Sequence, residues 1–376
     1  MVKIVFTGGH HNSALVTLDA LHEELSTAER DHTFYWIGKK YVDKSRTTLS
    51  PEYIEVTKRN VDFVEFTAGK LFRTRSFLYI WKVIINLVKI PAGFIKAYSL
   101  LTKIKPNIIV SFGGYLAVPI AIVGKFMGVK VVTHEQTATF GLANRIIGFI
   151  ADEIYVTWKK EIYPEYFKKK LIETGLPTRI IDQVGEKFSF KNLKPVMYVS
   201  GGKLGSDVIN TTIFNSLGIL LPKVNLIWSI GSNFDLFSED ILKEYLASHP
   251  DNQASIIYSR YFNELEVEKI YRSFHFGLSR SGAHTTYEYA YYAKPSILIP
   301  IPWASNQEQL KNAQMLASLG LAEIIQEADF NPTTLIQTVD NVLNKIDRDI
   351  YPKSVNIERE GTKKICHEII KHIQKT

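Results

Sequence analysis

The sequence predicts an α/β protein of two Rossmann-like domains, each a parallel sheet with crossover helices. Three observations carry that prediction. Short apolar runs rich in β-branched residues alternate with helix-period segments along the 376 residues. The alternation occurs as two successive series of about five strands. Each series opens with a strand that runs into a Gly-Gly turn, at Gly8-Gly9 and again at Gly201-Gly202.

In the first series the strands are expected at Lys3–Phe6, Thr33–Ile37, Asn107–Ser111, Val129–Thr133 and Glu153–Thr157. In the second they are expected at Val196–Ser200, Asn225–Ile230, Ser255–Ser259, Phe276–Ser279 and Ser296–Pro300. Helical patterns fall between or after them, as at Ala14–Leu25, Ser206–Leu217 and Asn306–Leu319. The break between the series is placed near Glu173-Thr174-Gly175-Leu176-Pro177, which divides the chain into 1–173 and 174–354.

Hydrophobic residues make up 45% and charged residues 22%, which excludes wholesale disorder. A single cysteine, Cys366, excludes an intrachain disulfide and an all-cysteine zinc site. The apolar run after Met1 is too short for a signal peptide, so a reduced, cytoplasmic setting is expected.

The net charge of +7 is local. Phe66–Lys105 holds eight basic residues and no acid, and the rest of the chain balances to −1. Within it Arg75, Lys82 and Lys89 recur every seven residues, which on a helix makes one stripe. Phe77, Ile80, Trp81, Ile84 and Val88 follow the spacing of an apolar face. Pro91 and Gly93 are expected to break that helix. On periodicity alone a packed helix with a solvated basic edge is favoured over a face that meets an anionic bilayer. Lys82, Lys89 and Pro91 interrupt the apolar run, so the segment is not a membrane span.

Several turns follow strands and precede helices, where backbone N–H groups and a partial positive charge suit an anion. They are Thr7-Gly8-Gly9-His10-His11, Ser200-Gly201-Gly202-Lys203-Leu204-Gly205-Ser206 and Ser279-Arg280-Ser281-Gly282-Ala283-His284-Thr285. Lys203 is either a phosphate-facing charge or a solvated loop lysine. Glu288 lies beyond the first turn of its helix, too late for a dipole partner, and suits ribose hydroxyls. Ser111-Phe112-Gly113-Gly114-Tyr115 and Thr133-His134-Glu135-Gln136-Thr137 end two further strands. His134 and Glu135 are an acid–base pair or hydrogen-bonded structural residues. No Walker loop, no GxGxxG and no metal-ligand spacing among the ten histidines occurs, and no nucleic-acid motif either.

In this order the motifs resemble the MurG family, the UDP-N-acetylglucosamine transferases that convert lipid I to lipid II in peptidoglycan synthesis. The resemblance runs through Thr7-Gly8-Gly9-His10, Gly113-Gly114-Tyr115, His134-Glu135-Gln136 and Gly141-Leu142-Ala143-Asn144-Arg145. It continues at Thr174–Arg179, at Gly201–Gly205 and from Ser279 through Glu288. It closes with Pro295–Pro300 and Glu308-Gln309 before Asn312-Ala313. It implies a GT-B fold, two Rossmann-like domains facing an interdomain cleft, with the C-terminal helix 355–376 packed back on the first.

The resemblance also implies roles. His10 is the leading base for the acceptor 4-hydroxyl, with Glu135 as its alternate. Donor contacts fall to Ala283, His284 and Thr285 at the diphosphate, Glu288 at the ribose, and Glu308 and Gln309 at the GlcNAc hydroxyls. Phe262 is placed by the uracil and Arg179 against the nucleotide. Lys203, Thr137 and, towards the anomeric centre, Thr7, Gly8 and Gly9 complete the donor set. His11, Gly113, Gly114, Tyr115, His134 and Gln136 form the acceptor side. Four positions depart from the family pattern: Ser13 for proline, Thr137 and Leu176 for asparagine, and Lys203 for serine. No cofactor or essential metal is implied. The partners implied are UDP-GlcNAc, the lipid-linked muramyl acceptor, an anionic membrane surface and cell-wall synthesis proteins, at the cytoplasmic face of the plasma membrane. A lipid-linked acceptor reverses the reading of the basic helix, making Arg75, Phe77, Trp81, Lys82 and Lys89 a docking face. The alternatives are a GT-B transferase with another acceptor, a non-catalytic UDP-sugar-binding paralogue and a UDP-GlcNAc epimerase.

Overall fold

A computed structural model describes residues 1–42, 45–59, 61–69, 80–232 and 239–374, with the side chains of 80–89 excepted. The chain forms two compact units, Met1–Arg179 with Glu358–Thr376, and Ile180–Ile357. The first break thus falls six residues beyond Glu173. Thr174 and Gly175 both donate their amides to the Val156 carbonyl, which ties the Thr-Gly-Leu-Pro segment to the first sheet.

The N-terminal unit holds strands β1 (Val2–Gly8), β2 (His32–Gly38), β3 (Asp62–Glu65), β4 (Ile108–Phe112), β5 (Lys130–Glu135), β6 (Glu153–Val156) and β7 (Leu171–Glu173). Its helices are α1 (His11–Thr27), α2 (Pro51–Thr57), α3 (Ile80–Ile104), α4 (Ala117–Phe126) and α5 (Leu142–Ile150). The seven strands are parallel in the order β3-β2-β1-β4-β5-β6-β7. Chain order reverses between β1 and β4, so the crevice at their carboxyl ends is a ligand position by topology alone. Ile4, Phe6, Ile108, Val110 and Phe112 are buried in the core on one face of the sheet.

The C-terminal unit repeats the plan. Its strands are β8 (Val196–Ser200), β9 (Asn225–Ser229), β10 (Ile256–Ser259), β11 (Phe276–Ser279), β12 (Ser296–Leu298) and β13 (Ala322–Ile324). Its helices are α6 (Asp207–Leu220), α7 (Glu239–Ser248), α8 (Pro250–Gln253), α9 (Glu264–Ser273), α10 (Ala283–Tyr291), α11 (Glu308–Ser318) and α12 (Pro332–Asp347). The parallel order β10-β9-β8-β11-β12-β13 puts the switch point between β8 and β11. A final helix, α13 (Gly361–Gln374), belongs to the N-terminal unit. It buries Ile365, Cys366 and Ile369 against α1, where the Cys366 thiol reaches the Thr17 carbonyl.

Pro91 does not break the basic helix. α3 runs unbroken from Ile80 to Ile104 with the proline inside it. A proline there forfeits one helical hydrogen bond, and the flanking half is held by tertiary packing. Ala97, Leu101 and Ile104 are buried. Gly93 is helical too, and its lack of a side chain has a packing reason: a Cβ there would lie 3.0 Å from that of Ala68. Arg75 and Phe77 lie outside the described residues, and Trp81, Lys82 and Lys89 are placed by backbone only.

Candidate active site

At the N-terminal switch point the β1 and β4 turns interlock through glycines. A Cβ on Gly8, at φ +146°, would meet the Phe112 carbonyl carbon at 2.7 Å. One on Gly114, at φ +80°, would meet the Gly9 amide nitrogen at 2.8 Å. Gly9 donates that amide to the Gly113 carbonyl at 3.0 Å. Thr7 is wholly buried, and its hydroxyl donates to the Ile37 carbonyl, so it fixes the strand end. The N-cap of α1 is His10, and no side chain caps the helix there. By contrast α9 and α12 carry full capping boxes at Asn263 and Asn331.

His10 is part-buried, and its Nδ1 lies 2.8 Å from the Gln136 amide nitrogen. Burial lowers its pKa from the usual 6.5 to about 4, so the ring is neutral at physiological pH. Tyr115 follows the Gly113-Gly114 turn after β4. Its phenol is pushed up by burial and by the nearby Glu52 carboxylate. Burial in turn raises Glu52, against the Trp36 indole that donates to it at 2.6 Å.

The other two members of the His-Glu-Gln run face elsewhere. His134 is 1% exposed, and its Nε2 meets the Gly175 carbonyl at 3.0 Å. This corrects its expected place on the acceptor side, because the ring holds the Thr-Gly-Leu-Pro segment to β5. Glu135 is 2% exposed and accepts from the Thr137 amide, the Thr137 hydroxyl, the Gly141 amide and the Asn144 amide, all at 2.8–3.0 Å. Desolvation raises its pKa and the four donors oppose that. A carboxylate so enclosed organises a loop. Thr137, expected among the donor contacts, spends its hydroxyl on Glu135 and on the Thr139 carbonyl.

Asn144 is the hub that sequence reasoning passed over. It accepts from Thr133 at 2.8 Å and donates to the His134 carbonyl at 2.9 Å and to Glu135 at 3.0 Å. Its only sequence signal is membership of the Gly-Leu-Ala-Asn-Arg run.

The C-terminal switch point has the same interlock. Gly205 and Gly231, at φ +89° and +96°, approach so closely that a Cβ on Gly231 would sit 2.2 Å from the Gly205 Cα. Lys203 is exposed in the same turn. Arg280 ties this end of the sheet together. Its guanidinium donates to the Ile299 carbonyl and the Ser206 hydroxyl and pairs with Glu327 at 2.5 Å. Gly282 caps α10 without a side chain, leaving the helix start at Ala283, His284 and Thr285 to the backbone. Glu288 lies one turn further and accepts from the buried Tyr271 hydroxyl, whose pKa it helps raise after desolvation.

Before α11, Asn306 and Gln307 both hold left-handed backbone, at φ 54° and 55°. Two such non-glycine residues in a row are strained, a feature that clusters at ligand sites. The Gln309 carboxamide oxygen accepts from the Ile301 amide at 3.1 Å and braces that loop; Glu308 opens α11 beside it. Phe262 is 6% exposed, with its ring edge-on to Phe188 at 6.2 Å. The ring therefore faces the interior, not an open base-stacking surface. Arg179 is the last residue of the N-terminal unit and is exposed; His11 and Thr285 are part-buried. Among the described residues no group of three or more His, Cys, Asp or Glu is placed to hold a metal ion.

Two parallel sheets with glycine-lined switch points are the frame of a GT-B glycosyltransferase. The sequence matches the glycosyltransferase family 28 N-terminal domain over residues 7–156 and its C-terminal domain over 196–369. A relative from Treponema denticola is 34% identical over 90% of this chain and 87% of its own length. Its name is UDP-N-acetylglucosamine–N-acetylmuramyl-(pentapeptide) pyrophosphoryl-undecaprenol N-acetylglucosamine transferase. The chain belongs to this MurG family of glycosyltransferases. The crystal structure of MurG from Acinetobacter baumannii has the same fold, with a TM-score of 0.68 at 17% identity over 99% of this chain and 100% of that one. A UDP-GlcNAc 2-epimerase from Neisseria meningitidis shares it with a TM-score of 0.58 at 10% identity, over the whole of both chains. Fold alone therefore does not separate transferase from epimerase; the 34% sequence relative does.

Proposed function

We propose that the chain transfers GlcNAc from UDP-GlcNAc to the C4 hydroxyl of a muramyl-pentapeptide carried on undecaprenyl pyrophosphate. The observation that carries the reading is the 34% identity to the Treponema transferase along 90% of the chain. The C4 oxygen forms a bond to the anomeric carbon from one face as the bond to the UDP oxygen breaks on the other, inverting that centre. The hydroxyl proton passes to His10, and UDP leaves with the bonding pair.

His10 suits the task because partial burial at the end of β1 keeps it neutral. A ring that takes a proton at Nε2 must carry its own on Nδ1, which requires the Gln136 carboxamide to present its oxygen there. A half-turn of the amide achieves this, and that oxygen has no other partner. On the donor side, the start of α10 with Lys203 meets the diphosphate, as a helix N-terminus stabilises charge that develops there. Glu288 takes the ribose, Glu308 and Gln309 take the GlcNAc hydroxyls, and Arg179 adds a cation at the nucleotide. No metal enters this scheme.

A membrane surface supplies the lipid-linked acceptor. Among the described residues no helix is long and apolar enough to cross a membrane. α4 ends in Phe126, which is 87% exposed beside Lys125, and α4 packs against the basic α3. An exposed aromatic at the end of a helix packed against the basic α3 fits a peripheral docking face at an anionic leaflet.

The test is incubation with UDP-GlcNAc and a short-chain lipid I analogue. UDP release matched one for one by disaccharide formation is the expected result. Binding of UDP-GlcNAc with no transfer to any muramyl diphospholipid overturns the reading.

A further inference from the structure

Glu288 is gripped from the protein interior. Its Oε2 accepts a hydrogen bond from the hydroxyl of Tyr271, 17 residues earlier and on α9. Tyr271 is 5% exposed and Glu288 half-buried, so the bond joins the core to the side chain read as the ribose partner.

The tyrosine has little room to move. α9 opens in a capping box built by Asn263 and Glu266. The Tyr271 ring meets Phe274 edge-on at 5.3 Å and Tyr292 at 5.4 Å. Tyr292 is itself anchored, because its hydroxyl accepts from the Ile181 amide at 2.6 Å. Beside Tyr271 in the chain, Arg272 pairs with Glu268 at 3.0 Å and donates to the Asp182 carbonyl at 2.6 Å. A phenol fixed on these sides presents its hydroxyl at one point, and the carboxylate comes to it.

The terminal torsion of a glutamate is broad, so an untethered carboxylate samples many planes. A cis-diol donates two hydrogen bonds, and both are well directed only when that plane is set. The Tyr271 bond is charge-assisted, which is the strong kind, and takes one of about four lone-pair directions on the carboxylate. The plane is thus fixed before a ligand arrives, and the cost of ordering it does not subtract from binding.

We propose that Tyr271 is a positioning residue for the donor, orienting the Glu288 carboxylate for the vicinal hydroxyls of a ribose. The proposal rests on the reading of Glu288 as the ribose partner, and its test separates the two.

Isothermal titration of the full chain with UDP and with 2′,3′-dideoxy-UDP makes that test, in wild type, Tyr271→Phe and Tyr292→Phe. Phenylalanine keeps each ring and its packing. Partial unfolding lowers both affinities alike, so their ratio reports on the diol alone. Wild type should prefer UDP by about tenfold or more. Equal affinity for the two ligands overturns the ribose role of Glu288 and the role of Tyr271 with it. Where the preference holds, Tyr271→Phe should weaken UDP by about fivefold or more and leave the dideoxy ligand unchanged. Tyr292→Phe removes a hydroxyl bound elsewhere and should keep the full preference. An undiminished preference in Tyr271→Phe, equal weakening of both ligands, or the same loss in Tyr292→Phe overturns the proposal while Glu288 keeps its role. In a Glu288→Gln background, Tyr271→Phe should cost UDP less than about twofold more, since the two groups act as one; a full additive loss overturns the coupling.

Discussion

The His10 ring and the Gln136 carboxamide, 126 residues apart in the chain, meet at 2.8 Å across the carboxyl ends of β1 and β5. The contact holds the imidazole in one orientation while burial keeps it neutral. His10→Ala should lower turnover by about 100-fold or more, with donor affinity nearly kept. The pH profile is the sharper test. A histidine lowered to about 4 is an active base above that pH and is lost only as pH falls through it. The acid limb of kcat/KM should therefore lie near 4; a limb at 6.5 would reject His10 as the buried base.

Gln136 should act through His10. Gln136→Ala frees the ring and should reduce kcat about tenfold without changing the donor KM, since orientation rather than binding is lost. Gln136→Glu puts a negative charge against Nδ1 and should raise the His10 pKa. The acid limb then moves upward, by a shift that a merely structural glutamine would not produce. Steady-state rates from pH 4 to 8 on the three proteins decide it.

Much of this was legible in the sequence, and the failures have physical causes. The central strands declare themselves because both faces are buried, so Ile108–Phe112 and Phe276–Ser279 read as apolar runs. The short strands Asp62–Glu65, Leu171–Glu173 and Ala322–Ile324 stand at sheet edges and carry too few apolar residues to announce themselves. The glycine turns were readable because left-handed backbone at Gly113, Gly114, Gly202 and Gly205 demands that residue, whereas Gly231, which packs against Gly205, stands outside any glycine run. Pro91 misled because packing of Ala97 and Leu101 outweighs one lost helical bond. The direction a side chain takes from a strand end is not written in its spacing. His134 turns to Gly175 and Phe262 to Phe188, while Asn144 gathers groups from positions 133 to 135.

Glu135 should matter for folding more than for proton transfer. Its four donors lose their acceptor in Glu135→Ala, inside a site closed to water. Hydrogen bonds to a buried charge are worth about 1.5–3 kcal/mol each in net terms and are not additive. A loss of roughly 3–5 kcal/mol is expected by urea unfolding. Full stability with abolished turnover would instead mark Glu135 as a chemical participant.

The Gly205–Gly231 contact braces the turn that bears Lys203, the proposed diphosphate partner. Gly231→Ala places a methyl within van der Waals overlap of the Gly205 Cα, at a φ of +96° that alanine avoids. The two turns must separate, which displaces the loop bearing Lys203. Isothermal titration with UDP should show affinity reduced about tenfold or more, an estimate of about 1.4 kcal/mol for strain of this kind. Unchanged UDP affinity in a folded variant would show that the turn does not reach the nucleotide.

The proposed docking face has apolar and electrostatic components that separate experimentally. Phe126 is exposed at the end of α4, and Lys82 and Lys89 lie in the stretch of sequence that holds the net charge. Each lysine near an anionic surface is worth about 1 kcal/mol. Lys82→Glu with Lys89→Glu should therefore weaken flotation with phosphatidylglycerol vesicles by about 30-fold or more, and high salt should erase the difference between variant and wild type. Phe126→Ser removes insertion rather than attraction, so it should weaken flotation while leaving the salt dependence intact. Equal flotation of all three proteins on anionic vesicles would return α3 and α4 to an ordinary solvated surface, and the acceptor would then have to be met elsewhere on the N-terminal unit.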